Sequence, residues 1–165
     1  SAWTIYDKTN YPLKTNTIYS LVVDKSGTKW IGTNFGLMKF DGAIWTSYTT
    51  SNSQLPNNSV SSLAIDAGGT IWIGTNGGGV TKYDGSHWTL YTNANSRLPN
   101  NSIISLAIDS SGVVWIGTSS GLTKVAGTQW TLYTASNSKL PNTNVNSIAA
   151  DGGGIRGGRT SDGMA

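Results

Sequence analysis

The sequence predicts an all-β fold, a β-propeller built from four-stranded antiparallel blades. The first observation is a repeated tetrapeptide, Trp-Ile-Gly-Thr, which begins at Trp30, Trp72 and Trp115, at steps of 42 and 43 residues. The second is a further tryptophan with a tyrosine three residues later, which recurs at the same spacing. The four pairs are Trp3 and Tyr6, Trp45 and Tyr48, Trp88 and Tyr91, and Trp130 and Tyr133. A period in the forties that holds several short strands is typical of propellers.

The composition agrees with many short strands joined by tight turns. The 165 residues include 21 glycines, seven tryptophans and seven tyrosines, and only 12% of them are charged. This length is sufficient for one domain with a buried core. The chain has no cysteine and one histidine, His87, which excludes disulfides, thiolate metal sites and histidine clusters. We therefore expect neither a metal nor another cofactor.

One repeat, residues 60–102, divides into four strands and a loop. The predicted segments are strand a (60–65), strand b (70–75), strand c (79–83), strand d (87–92) and a long loop (93–102). Leu63 and Ile65 alternate with small residues, which is the period of a strand. Asp66 opens a turn of the Asp-Ala-Gly-Gly type, and Asp84-Gly85 is a hairpin signal. The long loop contains Pro99, whose ring cannot donate to a strand ladder.

The same pattern predicts one propeller domain over 1–165. The repeats run over about 18–59, 60–102 and 103–144, and a closing repeat combines 145–165 with 1–17. About four blades per chain result, and we expect the N-terminal strand d around Trp3 to complete the C-terminal blade. Such pairing would remove two sheet edges that otherwise invite aggregation. The closing repeat has Gly157-Gly158-Arg159-Thr160 where the others have Trp-Ile-Gly-Thr, which has no physical explanation in the sequence.

Isolated blades would leave both sheet faces bare, so adjacent blades must stack. We expect the repeated tryptophans and isoleucines to lie in those interfaces, where each buried side chain contributes about 1.5–3 kcal/mol. The alternative is that the tryptophans form a platform for sugar stacking. The net charge of +3 comes from scattered basic residues, so we expect no nucleic-acid partner. We assign the equivalent residues Lys39, Lys82 and Lys124 to a solvated strand face.

The motif resembles the two-component regulator propeller repeat. It consists of Asp24, then Trp30-Ile-Gly-Thr33, Gly36-Leu37, Asp41-Gly42 and Trp45, and it occurs twice more. The resemblance implies a ligand-binding domain of the sensor type, because such repeats usually form seven-bladed propellers in the extracytoplasmic sensor regions of bacterial hybrid histidine kinases. Some of those sensors respond to polysaccharide breakdown products. A periplasmic or extracytoplasmic location is implied in the same way.

Four repeats leave two ways to close a ring. Blades are inclined at about 51° in a seven-bladed ring, about 45° in an eight-bladed ring and about 90° in a four-bladed ring. Interfaces suited to seven blades need little change for eight and much change for four. We therefore expect a homodimer that forms an eight-bladed ring, with a four-bladed monomer as the alternative.

The long loops and the turns between strands b and c should emerge on one face of the propeller. Ligand sites favour loops on a rigid scaffold, so this loop face is the candidate site for a small-molecule or oligosaccharide ligand. The candidate residues are Asn34, Phe35, Gln54, Asn57, Asn58, Asn76, Arg97, Asn100, Asn101 and Lys139. The alternative for the asparagines is that they bond only to their own loop backbones.

Catalysis is disfavoured because six of the eight carboxylates are explained as turn residues. The remaining two, Asp7 and Asp162, both fall on loop-face segments and could meet. No apolar run approaches membrane-spanning length, so we expect no membrane contact by this segment. The leading hypothesis is a non-catalytic, ligand-binding sensor module, with carbohydrate as the candidate ligand. The alternatives are an assembly module that closes a ring by oligomerisation and a polysaccharide-cleaving enzyme.

Overall fold

The structure is a computed structural model that describes residues 4–9, 11–151, 154–160 and 163–164, with side chains for 4–9 and 11–150. These residues contain fifteen β-strands. Among them there is no helix that is long and apolar enough to cross a bilayer.

The strands form four separate sheets, each with its strands in sequence order and antiparallel to their neighbours. Blade 1 contains β1 (Ile18–Val23), β2 (Lys29–Thr33), β3 (Gly36–Phe40) and β4 (Trp45–Tyr48). Blade 2 contains β5 (Val60–Ile65), β6 (Ile71–Thr75), β7 (Gly79–Tyr83) and β8 (Trp88–Tyr91). Blade 3 contains β9 (Ile103–Ile108), β10 (Val114–Thr118), β11 (Gly121–Ala126) and β12 (Gln129–Tyr133). The C-terminal sheet contains β13 (Val145–Asp151), β14 (Gly154–Thr160) and β15 (Gly163–Met164).

The predicted all-β class and the four-stranded antiparallel blades are confirmed. Two predicted strands are slightly shorter than expected, because residues at their ends bond to the turns. The carbonyl oxygen of Thr70 accepts a hydrogen bond from the Asp66 N–H, so strand b begins at Ile71. The N–H of Thr92 donates to Asn95 Oδ1, so strand d ends at Tyr91.

The aspartates form the predicted turns. Oδ1 of Asp24 accepts hydrogen bonds from the N–H groups of Ser26 and Thr28, and Gly27 follows with a φ of 85°. A glycine tolerates this left-handed conformation without steric strain. The hairpins between strands c and d use Asp84 in a similar way, with Oδ1 accepting from the N–H of His87.

The core lies between blades that stack face to face. We call the sheet face toward the preceding blade its leading face and the opposite one its trailing face. Between blades 1 and 2, Trp30 and Leu37 on the trailing face pack against Val60, Leu63 and Ile73 on the leading face. Between blades 2 and 3 the equivalent side chains form a second cluster.

Two strand-b tryptophans confirm the core interpretation, because Trp30 and Trp72 are buried, whereas Trp115 is half-buried. The strand-d tryptophans do not fit the core interpretation as well. Trp45, Trp88 and Trp130 are half-buried, since strand d is the outermost strand of its sheet. The assignment of the lysines to a solvated face also needs correction. The half-buried side chains of Lys39 and Lys124 place Nζ 5.5 and 5.4 Å from the ring centroids of Trp30 and Trp115.

The glycine of the repeated tetrapeptide allows adjacent blades to approach closely. A Cβ at Gly74 would lie 2.5 Å from Cγ2 of Ile103, which belongs to the innermost strand of the next blade. Equivalent contacts would arise at Gly32 with Val60 and at Gly117 with Val145.

The N-terminal segment differs from its predicted position. Residues 4–7 form no strand, and the ring of Tyr6 packs against Tyr11, Phe40 and Trp45 at centroid distances of 4.5, 5.9 and 6.1 Å. The segment thus docks on blade 1, because the aromatic side chains there offer it a surface. Trp3 lies outside the described residues. The described part of the C-terminal sheet contains three strands, and the chain is a fragment of a propeller.

Candidate functional site

The long loops that carry most of the predicted ligand residues are held by local hydrogen bonds. In the loop after blade 1, Asn52 Oδ1 accepts from the Thr49 N–H, and its Nδ2 donates to the carbonyl oxygen of Ser47. Asn95 makes the same pair of bonds in the loop after blade 2, with Thr92 and Leu90. Each loop therefore begins in a fixed conformation.

The predicted asparagines at the ends of these loops also bond to loop backbone. Asn58 Oδ1 accepts from the Thr50 N–H at 2.9 Å, and Asn101 Oδ1 accepts from the Asn93 N–H at 2.8 Å. These bonds connect the beginning and the end of each loop.

Their neighbours Asn57 and Asn100 cap shorter turns. Asn57 Oδ1 accepts from the Ser59 N–H, and Asn100 Oδ1 accepts from the Ser102 N–H. All four asparagines thus use their carbonyl oxygens to brace the loops, which favours the alternative weighed for them in the sequence.

Three further predicted residues lie on the turns between strands b and c. Asn34 and Phe35 are exposed at the end of β2, and the Phe35 N–H donates to Thr33 Oγ1. Asn76 Oδ1 accepts from the Ser102 hydroxyl at 3.1 Å. Asn76 also lines a cavity of about 310 Å³ beside the innermost strands β5 and β9. This cavity shares no lining residue with the surfaces that Gln54 and Arg97 line.

Gln54 and Arg97 line two grooves at the outer rim, where neighbouring blades meet. We call these the rim grooves. The first lies between blades 1 and 2 and has a volume of about 550 Å³; its lining is Tyr48, Ser51, Asn52, Ser53, Gln54, Ser86 and Trp88. The second lies between blades 2 and 3 and has a volume of about 800 Å³; its lining is Tyr91, Ala94, Asn95, Ser96, Arg97, Thr128, Gln129 and Trp130. The long loop and the turn before strand d both contribute, so each groove runs along strand d.

Each rim groove contains a tyrosine and a tryptophan in contact. The ring centroids of Tyr48 and Trp88 lie 5.7 Å apart, and those of Tyr91 and Trp130 lie 5.0 Å apart. All four rings are half-buried, so each presents part of its surface to the groove. Burial, with a smaller effect of the Tyr83 hydroxyl, raises the pKa of Tyr48 to about 12. This phenol is therefore neutral at physiological pH.

The polar lining gives the two grooves different charge. Gln54 in the first groove occupies the repeat position of Arg97 in the second. Arg97 is exposed and forms no salt bridge within the part of the chain that the structure describes. The second groove can therefore offer a cation to a ligand, whereas the first offers an amide.

Lys139, at the same position of the third loop, lines a cavity of about 250 Å³. The other residues around it are Trp115, Leu122, Tyr133, Ser138 and Leu140, so this lining is more apolar than that of the rim grooves. Sequence reasoning thus identified one residue of each surface, but it preferred the core to the sugar-stacking platform for the strand-d tryptophans. The half-polar pattern of strand d could have indicated their partial exposure.

The described groups that were considered for catalysis or metal binding have local hydrogen-bond partners. Oδ1 of Asp7 accepts hydrogen bonds from the N–H and hydroxyl of Thr9, and Asp162 lies outside the described residues. His87 is exposed beside Asp84, whose pKa is lowered by the backbone N–H groups of His87 and Ser86. Within the described ranges, no three residues of the types His, Cys, Asp and Glu are grouped to hold a metal ion.

Comparison with known proteins finds a family model that matches two segments of the chain and solved structures of similar fold. Residues 54–77 and 97–120 match the family model of the two component regulator propeller. Among solved structures, the chain is similar to the extracellular domains of two putative hybrid two component systems of B. thetaiotaomicron. It is 31% identical to that of BT3049, over 86% of this chain and 20% of that one, with a TM-score of 0.76. It is 28% identical to that of BT4673, over 96% of this chain and 22% of that one, with a TM-score of 0.74.

The chain thus spans about one fifth of the length of these two extracellular domains. A streptogramin B lyase has the same fold, with 16% identity over 94% of this chain and 56% of the lyase and a TM-score of 0.68. At that identity the likeness concerns the fold alone. No curated protein matches the chain in sequence.

Proposed function

The chain carries two-component regulator propeller repeats, and from this we propose that it is a non-catalytic, ligand-binding segment of an extracytoplasmic sensor. Its similarity to extracellular domains of hybrid two component systems supports the sensor type and the location. The observation that carries the binding function is the pair of rim grooves. Each has a tyrosine–tryptophan pair together with polar side chains of the adjoining loop.

We infer that the ligand is an oligosaccharide. A sugar ring has an apolar face of C–H groups, which can pack on an aromatic ring, and hydroxyls that need donors and acceptors around them. Trp130 supplies such a ring in the second rim groove, and Thr128 and Gln129 supply exposed polar groups beside it. The two grooves lie one repeat apart, so an extended chain of sugars fits them better than a single sugar does.

Arg97 favours an acidic sugar in the second groove. A guanidinium group binds a carboxylate through two parallel hydrogen bonds, which are stronger than bonds between neutral groups. The first groove has Gln54 at this position and offers no such charge. We therefore expect oligosaccharides that contain a uronic acid to bind more tightly than neutral ones of equal length.

A glycan array with the full chain, followed by calorimetric titration of the glycans that bind, tests this function. We expect Arg97→Ala to weaken binding of a uronate-containing oligosaccharide by about 2 kcal/mol, or roughly thirtyfold, without loss of stability, because Arg97 is exposed. Trp130→Ala should abolish binding of both acidic and neutral glycans. Lys8→Ala is the matched control, because it removes an exposed cation outside the grooves.

Two results would contradict the proposal. The first is an array on which no glycan binds the folded chain. The second is binding that survives Trp130→Ala in a variant whose thermal unfolding shows it to be folded. Turnover of a polysaccharide that disappears in Asp7→Asn would instead establish the enzyme hypothesis.

A further inference from the structure

The innermost strand of each of blades 1 to 3 contains a β-bulge at the same repeat position. In blade 1 the register with β2 shifts between Ile18 and Ser20, so Tyr19 is the additional residue of the bulge. The additional residues of blades 2 and 3 are Ser61 and Ile104. A bulge turns a side chain out of the regular alternation of its strand, and bulges are frequent beside functional sites.

The three bulge residues line one cavity, the cavity of about 310 Å³ that Asn76 also lines. Its remaining lining residues are Ser59, Ser102 and Ile103. Tyr19 is 52% exposed and is the largest side chain of this lining. The volume lies at the lower end of the range of about 300–1,000 Å³ for ligand pockets, so the cavity suits a small ligand.

The turn between strands b and c of blade 2, which contributes Asn76, is longer than its counterparts. Three residues, Asn76-Gly77-Gly78, connect β6 to β7, whereas two residues connect the equivalent strands in blades 1 and 3. A Cβ at Gly78 would lie 2.6 Å from Thr75 Oγ1 and 3.0 Å from Asn57 Cβ, so the longer turn packs closely because this residue is glycine. An insertion in one repeat of an array lies in a loop, often on the binding face.

The longer turn connects Asn76 to two loops. The N–H of Asn76 donates to the carbonyl oxygen of Ser59 at 2.9 Å, and its Oδ1 accepts from the Ser102 hydroxyl at 3.1 Å. These two bonds fix the position of the carboxamide. Nδ2 of Asn76 makes no hydrogen bond within the part of the chain that the structure describes. Both of its N–H groups are therefore available to a ligand.

Hydroxyl groups supply further donors and acceptors around the cavity. The Ser61 hydroxyl donates to the carbonyl oxygen of Ile103 at 2.5 Å, which leaves its oxygen able to accept. The hydroxyls of Tyr19 and Ser59 make no hydrogen bond to the other described residues. The described lining contains no charged side chain. A charged ligand would lose hydration there without meeting an opposite charge, so a neutral ligand is favoured.

We propose that this cavity is a second binding site, for a single neutral sugar. The ring of Tyr19 and the two isoleucines offer apolar surface to the C–H face of a pyranose. The free N–H groups of Asn76 and the serine hydroxyls offer hydrogen bonds to its hydroxyl groups. The site differs from the rim grooves in the size and the charge of its ligand, and the proposal does not rest on them.

Titration of the isotope-labelled full chain with single sugars, followed in proton–nitrogen correlation spectra, tests this site. The neutral probes are glucose, galactose and mannose, and the charged probes are glucuronate and glucosamine. We expect saturable shifts of the Asn76 side-chain amide signals with a neutral sugar, and at least about fivefold weaker binding of both charged probes. The signals are assigned by their disappearance in Asn76→Asp.

Asn76→Asp should weaken binding of the neutral sugar by roughly tenfold or more. The carboxylate keeps the acceptor for the Ser102 hydroxyl, so the turn should be retained, but the two N–H donors are lost. Binding is then followed by the backbone signal of Ser59. Asn34→Asp is the matched control, because Asn34 is exposed on the corresponding turn of blade 1 and does not line the cavity. Its affinity should equal that of the unmodified chain.

Tyr19→Ser should weaken binding by at least about fivefold, because it removes the aromatic surface. Blade 2 has a serine at this bulge position, so the strand accommodates the substitution. Tyr19→Phe keeps the ring and should retain most of the affinity.

Three results would overturn the proposal. The first is the absence of saturable Asn76 shifts with all three neutral sugars. The second is equal weakening by Asn34→Asp and Asn76→Asp, and the third is binding of glucuronate as tight as that of the neutral sugar. Asn76 lines neither rim groove, so its signals report on this cavity and the outcome is independent of binding at the rim.

Discussion

The hydroxyl oxygen of Ser62 accepts a hydrogen bond from the backbone N–H of Leu106 across the interface between blades 2 and 3, with an N–O distance of 2.9 Å. Ser20 and Leu63 form the same bond between blades 1 and 2, at 3.0 Å. Each bond joins the innermost strands of two different sheets. One polar contact within an apolar interface therefore fixes the register of adjacent blades. Apolar packing alone is not directional and specifies this register less strictly.

Ser62→Ala should destabilise the chain. Ser62 is buried, and its loss leaves the N–H of Leu106 without this acceptor in an interface that excludes water. An unsatisfied buried donor costs about 1–3 kcal/mol of unfolding free energy. Urea unfolding followed by tryptophan fluorescence measures the change. Ser51→Ala is the control, because Ser51 is exposed, and an equal loss in both variants would contradict the role of the bond between blades.

Gly74→Ala should also weaken the interface between blades 2 and 3. The added methyl group would lie 2.5 Å from Cγ2 and 3.0 Å from Cβ of Ile103, which is buried and branched at Cβ. The blades would have to separate, and overpacking of this kind typically costs about 1–3 kcal/mol.

Urea unfolding again measures the effect, with Gly68→Ala as the control. Gly68 is exposed, and a Cβ there would meet only Oδ1 of Asp66, at 3.3 Å. If Gly74→Ala unfolds at the same urea concentration as the unmodified chain, then this glycine is not required for close approach of the blades.

Asp109 should make the stability of the chain depend on pH. The Ser111 hydroxyl lowers the pKa of Asp109 below 3.8 against the opposing effect of burial, and the Val113 N–H and the Trp115 indole contribute further. Since the folded state binds the proton less tightly than the unfolded state, this stabilisation is complete above about pH 5. It is lost as the pH falls through 3.8 towards the lower pKa of the folded state.

Asp109→Asn should therefore reduce the unfolding free energy at pH 7 and flatten its decrease between about pH 5 and pH 2. Urea titrations at several pH values measure both effects. Asp66→Asn is a matched control, because Oδ1 of Asp66 accepts from the N–H groups of Gly68 and Thr70 in the same turn, without the serine donor. An unchanged pH profile in Asp109→Asn would refute the assignment.

The local structure could be predicted from the sequence because each signal is local. The alternation around Leu63 and the turn chemistry of Asp66 depend on neighbouring residues, so the strand bounds agree to within one residue. Contacts between blades also followed from the repeat, since Trp30 and Trp72 both lie in the apolar clusters between adjacent blades. The position of Tyr6 could not be predicted, because its ring has two possible partners, the C-terminal sheet and blade 1, and the sequence does not rank them.

The candidate site was harder to predict for a similar reason. Gln54 and Arg97 were recognised as loop residues that vary, but Trp88 and Trp130 were assigned to the core with the other tryptophans. Whether a tryptophan is covered depends on where its strand lies in the sheet and on how far the next blade reaches. Those are properties of the packed blades rather than of the repeat motif.

Asn101→Ala separates a structural role of the loop asparagines from a role in ligand binding. The side chain of Asn101 accepts from the Asn93 N–H at 2.8 Å and donates to Asn93 Oδ1 at 3.0 Å, so both of its polar atoms brace the loop. Removing them should lower the unfolding free energy by about 1 kcal/mol. The affinity for an oligosaccharide should stay within roughly twofold of its original value, because Asn101 does not line the rim groove that contains Arg97.

Urea unfolding and calorimetric titration on the same preparation measure the two quantities, with Arg97→Ala as the reference for lost affinity at unchanged stability. The reverse pattern, weaker binding with unaltered unfolding, would move the ligand from the rim groove to the loop end where Asn101 lies.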